Sequence, residues 1–109
     1  MDLREVNLIK AALEDKKAND IKILDVSELT TICDYMIIAD ASNVNLLDTL
    51  VDEVYNTMAK EEKFPKMTEG NKNSGWVLMD YNDIIVQLFI TDSRHFYDLE
   101  RIWCDAKEI

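Results

Sequence analysis

The chain has 109 residues, 48% of them hydrophobic, with 2 glycines and 1 proline. That length suits one domain, residues 1–109, with a core of its own, and leaves no room for a second domain, a long flexible linker or a repeat array. A formal net charge of -10, from 22 acidic against 12 basic residues, argues against direct binding of bare nucleic acid, whose affinity needs Lys and Arg set against phosphates. A basic protein partner fits this charge better, although acidity also serves solubility.

In chain order, Leu3, Val6, Ile9 and Leu13 recur at helical spacing, and residues 2–17 are expected as a first amphipathic helix, with Lys16 and Lys17 at its C-terminal end. Residues 21–26 are expected as a strand with Ile21 and Ile23 on one face and Leu24 and Val26 on the other. A connector over 27–32 leads to a second strand, Asp34-Tyr35-Met36-Ile37-Ile38-Ala39. Its near-continuous apolar run suits a central position covered on both sides, and the short link favours antiparallel pairing of the two. Ser42 or Asn43 then caps a second helix running to about Glu62. Its stripe is Leu47, Leu50, Val51, Val54, Tyr55 and Met58, with Asp48, Asp52, Glu53 and Asn56 on the wet side. Residues 64–73 are expected as a loop. Strands follow over 76–80 and 84–90, joined by the turn Asp80-Tyr81-Asn82-Asp83, where Asn is able to take positive φ. Asp92 or Ser93 caps a last helical segment ending near Trp103. The expected fold class is α/β of the two-layer α+β kind. It has a mixed four- to five-stranded sheet with helices mainly on one face, the second helix crossing between two hairpins.

The second hairpin has two unlike faces. With Tyr81 and Asn82 as loop residues, Asp80 pairs with Asp83, Leu78 with Ile85 and Trp76 with Gln87, and directly opposed residues share a face. One face then holds Trp76, Leu78, Asp80, Asp83, Ile85, Gln87 and Phe89. The other holds Val77, Met79, Ile84, Val86, Leu88 and Ile90, entirely aliphatic and suited to lie under helices. The mixed face either presents an aromatic anchor with a polar rim to a partner or is folded over as ordinary core. A register slip of one residue would exchange the two faces.

Little in the chain marks catalysis. His95 is the only histidine and no local motif supplies a nucleophile for it. The spacing of Asp80, Asp83 and Asp92 matches no calcium loop. No Gly-x-Gly-x-x-Gly or Walker A run is present, and 2 glycines are few for a phosphate cradle. Arg94 and Arg101 are placed to pair with Asp98 or Glu100 on the last helix. Met36, Met58 and Met79 fit as core filler. Cys33 and Cys104 form no disulfide framework or Cys-x-x-Cys motif and are expected as reduced thiols. The acidic start lacks the features of a signal peptide. No apolar run approaches the ~20 residues of a membrane span. The expectation is a cytoplasmic protein with no cofactor, no metal and no membrane partner.

The ordered set Asp34-Tyr35-Met36-Ile37-Ile38-Ala39, Ser42-Asn43 before a helix, Glu69-Gly70, Gly75-Trp76-Val77-Leu78-Met79-Asp80-Tyr81, Asp83-Ile84-Ile85-Val86 and Arg94-His95-Phe96-Tyr97-Asp98-Leu99-Glu100-Arg101-Ile102-Trp103 resembles the ribosomal silencing factor family, also called Iojap. The resemblance runs from the first helix to Trp103. It implies a nucleotidyltransferase-like fold without recognised transferase activity. It also implies binding to the large ribosomal subunit through the fourteenth large-subunit ribosomal protein, blocked joining of the small subunit, damped translation when nutrients are scarce, and in some members a part in large-subunit assembly. On that reading Trp76, Leu78 and Phe89 are the apolar anchors of the partner-binding face. Asp80, Asp83, Gln87 and Glu69 supply polar or charged contacts, and Tyr81, Arg94 and Tyr97 border the patch. This chain departs from the family pattern in three places. The run Ala39-Asp40-Ala41 stands where a Gly is common, Gln87 stands where His is usual, and Cys104 follows Trp103 where Gly is common. Gln still donates and accepts hydrogen bonds but performs no acid-base chemistry. Two other functions compete with this one: a nucleotide-binding or residual nucleotidyltransferase protein, which would need a carboxylate pair for Mg²⁺ beside a phosphate loop, and a homodimer that uses the mixed face for itself.

Overall fold

The computed structural model of the chain describes residues 3–91 and 107–108. The expected closing helix over 92–103, with Arg94, His95 and Tyr97, lies outside the described residues, as does Cys104. The elements are α1 (Leu3–Asp15), β1 (Asn19–Asp25), β2 (Tyr35–Ala41), α2 (Val44–Ala59), β3 (Met67–Asn71), a short 3-10 turn (Lys72–Ser74), β4 (Trp76–Asp80), β5 (Ile84–Ile90) and β6 (Lys107–Glu108).

The strands form one mixed sheet in the order β3-β4-β5-β2-β1-β6. Among the described strands only β2 and β5 run parallel, and they form the centre; every other pair there is antiparallel. This is the expected α+β architecture, with the two-residue β6 as a sixth strand beyond the four to five expected and α2 as the crossover that returns the chain to lay β5 beside β2. Both central strands are apolar runs, and all but one residue at one end of each is buried, as two-sided burial requires.

Helices α1 and α2 cover one face. There Val6, Ile9 and Leu13 of α1 and Leu47, Leu50, Val54 and Met58 of α2 pack on Ile23, Ile37, Ala39, Val77, Met79, Val86 and Leu88. The Asn43 side chain accepts the Leu46 N–H at 2.8 Å, so Asn43 rather than Ser42 is the α2 cap. Both helices end in the same way. Ala18 N–H donates to the Leu13 carbonyl and Lys17 N–H to that of Glu14; Lys63 N–H donates to Met58 and Glu62 N–H to Ala59. Lys17 (φ 61°) and Glu62 (φ 60°) are the left-handed residues of these two Schellman closures. Ion pairs from the exposed Arg4 and Lys63 to the half-buried Glu61 and Glu5 tie the start of α1 to the end of α2.

Two further details differ from expectation. Residues 67–71, expected within a loop, form the edge strand β3 against β4. All five are exposed, so no burial alternation marks them as a strand. The β4–β5 register is shifted by two residues: Trp76 faces Phe89, Leu78 faces Gln87 and Asp80 faces Ile85. The loop residues are Asn82 and Asp83, because Tyr81 N–H donates to the Ile84 carbonyl at 2.8 Å and Asn82 takes φ 73°.

Candidate functional site

An even register shift leaves side chains on their own faces, so the mixed face survives the correction. It carries a second apolar cluster, made of Leu24, Val26, Cys33, Met36, Ile38, Ile85 and Phe89, with Trp76 and Leu78 packed against it. Edge strand β3 extends this face, since Met67, Glu69 and Asn71 stand directly opposite Asp80, Leu78 and Trp76.

The expected site residues divide by depth. Trp76, Leu78 and Asp80 are half-buried, while Glu69 and Asp83 are exposed. Phe89, expected as a surface anchor, is 1% exposed and forms part of the floor beneath. Gln87 is also buried and is engaged on both sides of its amide. Trp76 Nε1 donates to Gln87 Oε1 at 3.1 Å, and Gln87 Nε2 donates to Met36 Sδ at 3.4 Å. Tyr81 lies on the opposite face. Because it closes the hairpin against Ile84 it continues the alternation of Val77 and Met79, and it packs in the cluster under the helices. Its hydroxyl has no hydrogen-bond partner among the described residues, and burial is the first cause that pushes its pKa up to about 12, ahead of Tyr55.

Backbone geometry supports Trp76 from the β3 side. Gly70 has φ +79°, and a Cβ there would stand 2.1 Å from the Trp76 carbonyl oxygen and 3.2 Å from Cε3 of its ring. Only glycine permits that conformation and that approach together. Ser74 Oγ adds a hydrogen bond to the same carbonyl at 2.9 Å.

One end of the sheet is acidic. Asp34 and Tyr35 N–H groups both donate to the Asp83 carbonyl, at 2.8 and 3.0 Å, which brings the start of β2 to the β4–β5 turn. Asp80 Oδ1 accepts the Asn82 N–H at 2.8 Å. Buried Cys33 lies among these groups. Burial first, then the carboxylates of Asp34, Asp80 and Asp83, push its thiol up to about 11, against the lowering effect of a backbone hydrogen bond from Ile85. Such a thiol stays neutral and is a poor nucleophile. Asp40, a buried carboxylate that sequence reasoning did not single out, accepts a hydrogen bond from Thr91 Oγ1 at 2.8 Å. Its position within the apolar run of β2 was the available signal.

Among the described residues no group of three or more His, Cys, Asp and Glu side chains is arranged to hold a metal ion. No helix among them is long and apolar enough to cross a membrane. On the mixed face the indole of Trp76 is held at its polar edge by Gln87, with Leu78 beside it and the carboxylates of Glu69, Asp80 and Asp83 around them.

Comparison with known proteins bears on the family and the fold. Residues 2–109 match the family model described as ribosomal silencing factor during starvation. The ribosomal silencing factor of Bacillus subtilis is 31% identical over 101 residues, covering 93% of this chain and 86% of the relative. The chloroplastic protein Iojap of Arabidopsis thaliana is 34% identical over 105 residues, covering 95% of this chain but 43% of that longer protein. A crystal structure of a Chromobacterium violaceum protein superposes with a TM-score of 0.89 at 31% identity, over 94% of this chain and 87% of the other. With the family pattern matched from residue 2 to residue 109, this chain belongs to the ribosomal silencing factor family.

Proposed function

We propose that this chain is a non-enzymatic, cytoplasmic repressor of translation. It docks on the large ribosomal subunit through the fourteenth large-subunit ribosomal protein, blocks joining of the small subunit, and also aids large-subunit assembly. The observation that carries this reading is the family match over residues 2–109. The mixed face supports it with a suitable surface. Trp76 and Leu78 are half-buried apolar groups, and Glu69, Asp80 and Asp83 around them are acidic. That pairing suits a basic ribosomal protein: apolar anchors hold the complex, and complementary charge speeds encounter and rejects wrong partners.

Phe89 and Gln87 act from beneath in this reading, and Tyr81 takes no direct part. The test is co-sedimentation with purified large subunits. Truncating a central aromatic anchor costs about 2 kcal/mol or more, roughly a thirtyfold loss of affinity. Trp76→Ala is expected to weaken binding by that factor while the variant stays folded. Undiminished binding would remove the mixed face from the interface.

A further inference from the structure

Three adjacent strands contribute to one short polar chain inside the second apolar cluster. Met36 lies on β2, Gln87 on β5 and Trp76 on β4, and all three side chains share one face of the sheet. Gln87 is 8% exposed and Met36 5% exposed. The amide accepts from the indole N–H at 3.1 Å and donates toward the thioether at 3.4 Å. A buried primary amide among leucine, isoleucine and phenylalanine side chains costs stability unless its polar atoms are engaged. Packing alone would be served as well by an apolar side chain of the same length. Gln87 instead supplies an acceptor to the one polar atom of the indole.

We propose that Gln87 is a positioning residue for docking. It holds the Trp76 indole with its N–H turned inward, so that Trp76 engages a partner through ring carbon and not through a hydrogen bond. The inference rests on the docking face proposed above. An indole free to turn about its two side-chain torsions must be ordered when a partner binds, whereas one already held by an internal hydrogen bond loses less freedom at that moment. The partner group that meets Trp76 is then apolar or cationic, because a carbonyl or carboxylate acceptor would have to displace Gln87.

Three variants and one spectroscopic measurement test this. Affinity for purified large subunits is measured by co-sedimentation for the full chain, Trp76→Ala, Gln87→Met and Gln87→His. The Trp76 indole N–H resonance is followed in ¹⁵N-labelled protein and assigned by its loss in Trp76→Ala. Gln87→Met keeps length and removes all but a weak acceptor, and Gln87→His retains a ring nitrogen that accepts. The expected result is slow exchange of the Trp76 N–H with solvent in the unsubstituted chain. Gln87→Met should shift that resonance and weaken binding about three- to tenfold, the range a lost hydrogen bond of roughly 1 kcal/mol implies, and Gln87→His should restore both. Weakened binding in Trp76→Ala with unaltered binding in a folded Gln87→Met would overturn the positioning role and leave the docking face standing. Unaltered binding in Trp76→Ala would overturn both. Rapid exchange of the indole N–H in the unsubstituted chain overturns the positioning role even if Gln87→Met fails to fold.

Discussion

Trp76 and Phe89 stand directly opposite each other on β4 and β5, yet Trp76 is half-buried and Phe89 is 1% exposed. The two aromatics therefore do different work. Phe89→Ala removes a fully buried ring and is expected to cost about 3 to 5 kcal/mol of stability. Trp76→Ala should cost clearly less stability while costing more in binding per unit of fold lost. Urea unfolding of both variants, compared by midpoint at unchanged slope, checks the ranking.

Glu62→Gly should stabilise the protein. Glu62 closes α2 at φ 60°, a conformation that costs a side-chain-bearing residue roughly 1 kcal/mol and glycine almost nothing. Its negative charge also sits at the unfavourable end of the helix dipole. A gain of about 0.5 to 1 kcal/mol is expected from thermal unfolding. A loss would mean that Glu62 makes a compensating contact stronger than the strain it carries.

Alkaline pH should destabilise the fold through Cys33 and Tyr81. Each has its folded pKa raised, Cys33 from 9.0 to about 11 and Tyr81 from 10.0 to about 12, with burial the largest cause in both. The folded state prefers the neutral thiol and phenol. Their stabilising contribution is complete below pH 9, declines as pH rises past each unfolded value, and is lost on passing about 11 and then about 12. Cys33→Ala should flatten the first part of that decline. At pH 8 the Cys33 thiol should react with a thiol reagent far more slowly than a free cysteine, and at the free rate once the chain is unfolded.

Salt should weaken docking through the rim. Glu69 and Asp83 are exposed and Asp80 half-buried, so their attraction to a basic partner is largely screened as ionic strength rises. Glu69→Lys combined with Asp83→Lys should lower the association rate about tenfold or more at low salt, with a smaller change in dissociation rate. Stopped-flow association at two ionic strengths separates this from loss of the apolar anchor, which acts mainly on dissociation.

What the sequence made legible follows from where periodicity is strong. The central strands and both described helices carry apolar patterns that only one kind of element satisfies, and β4 and β5 appear at the bounds expected. Met67 to Asn71 gave no such pattern, because an edge strand with every residue exposed is defined by its backbone partners in β4. The hairpin register depended on which two residues turn, and Asn82-Asp83 rather than Tyr81-Asn82 does so. That shift is even, so the faces were right while the pairs were wrong. The depth of Phe89 and Gln87 was not readable from alternation, which separates faces without saying what lies over each. The fate of Tyr81 turned on the same two-residue choice.

The most direct test of the central claim is a gradient at fixed, physiological salt. Tagged protein is mixed with purified large subunits, small subunits are added, and the three species are separated. The account predicts that the protein travels with free large subunits, is absent from joined ribosomes, and lowers the joined fraction in proportion to its concentration, with Trp76→Ala doing so only at much higher concentration. Equal recovery of the protein in joined ribosomes, or a joined fraction that does not change, would contradict it.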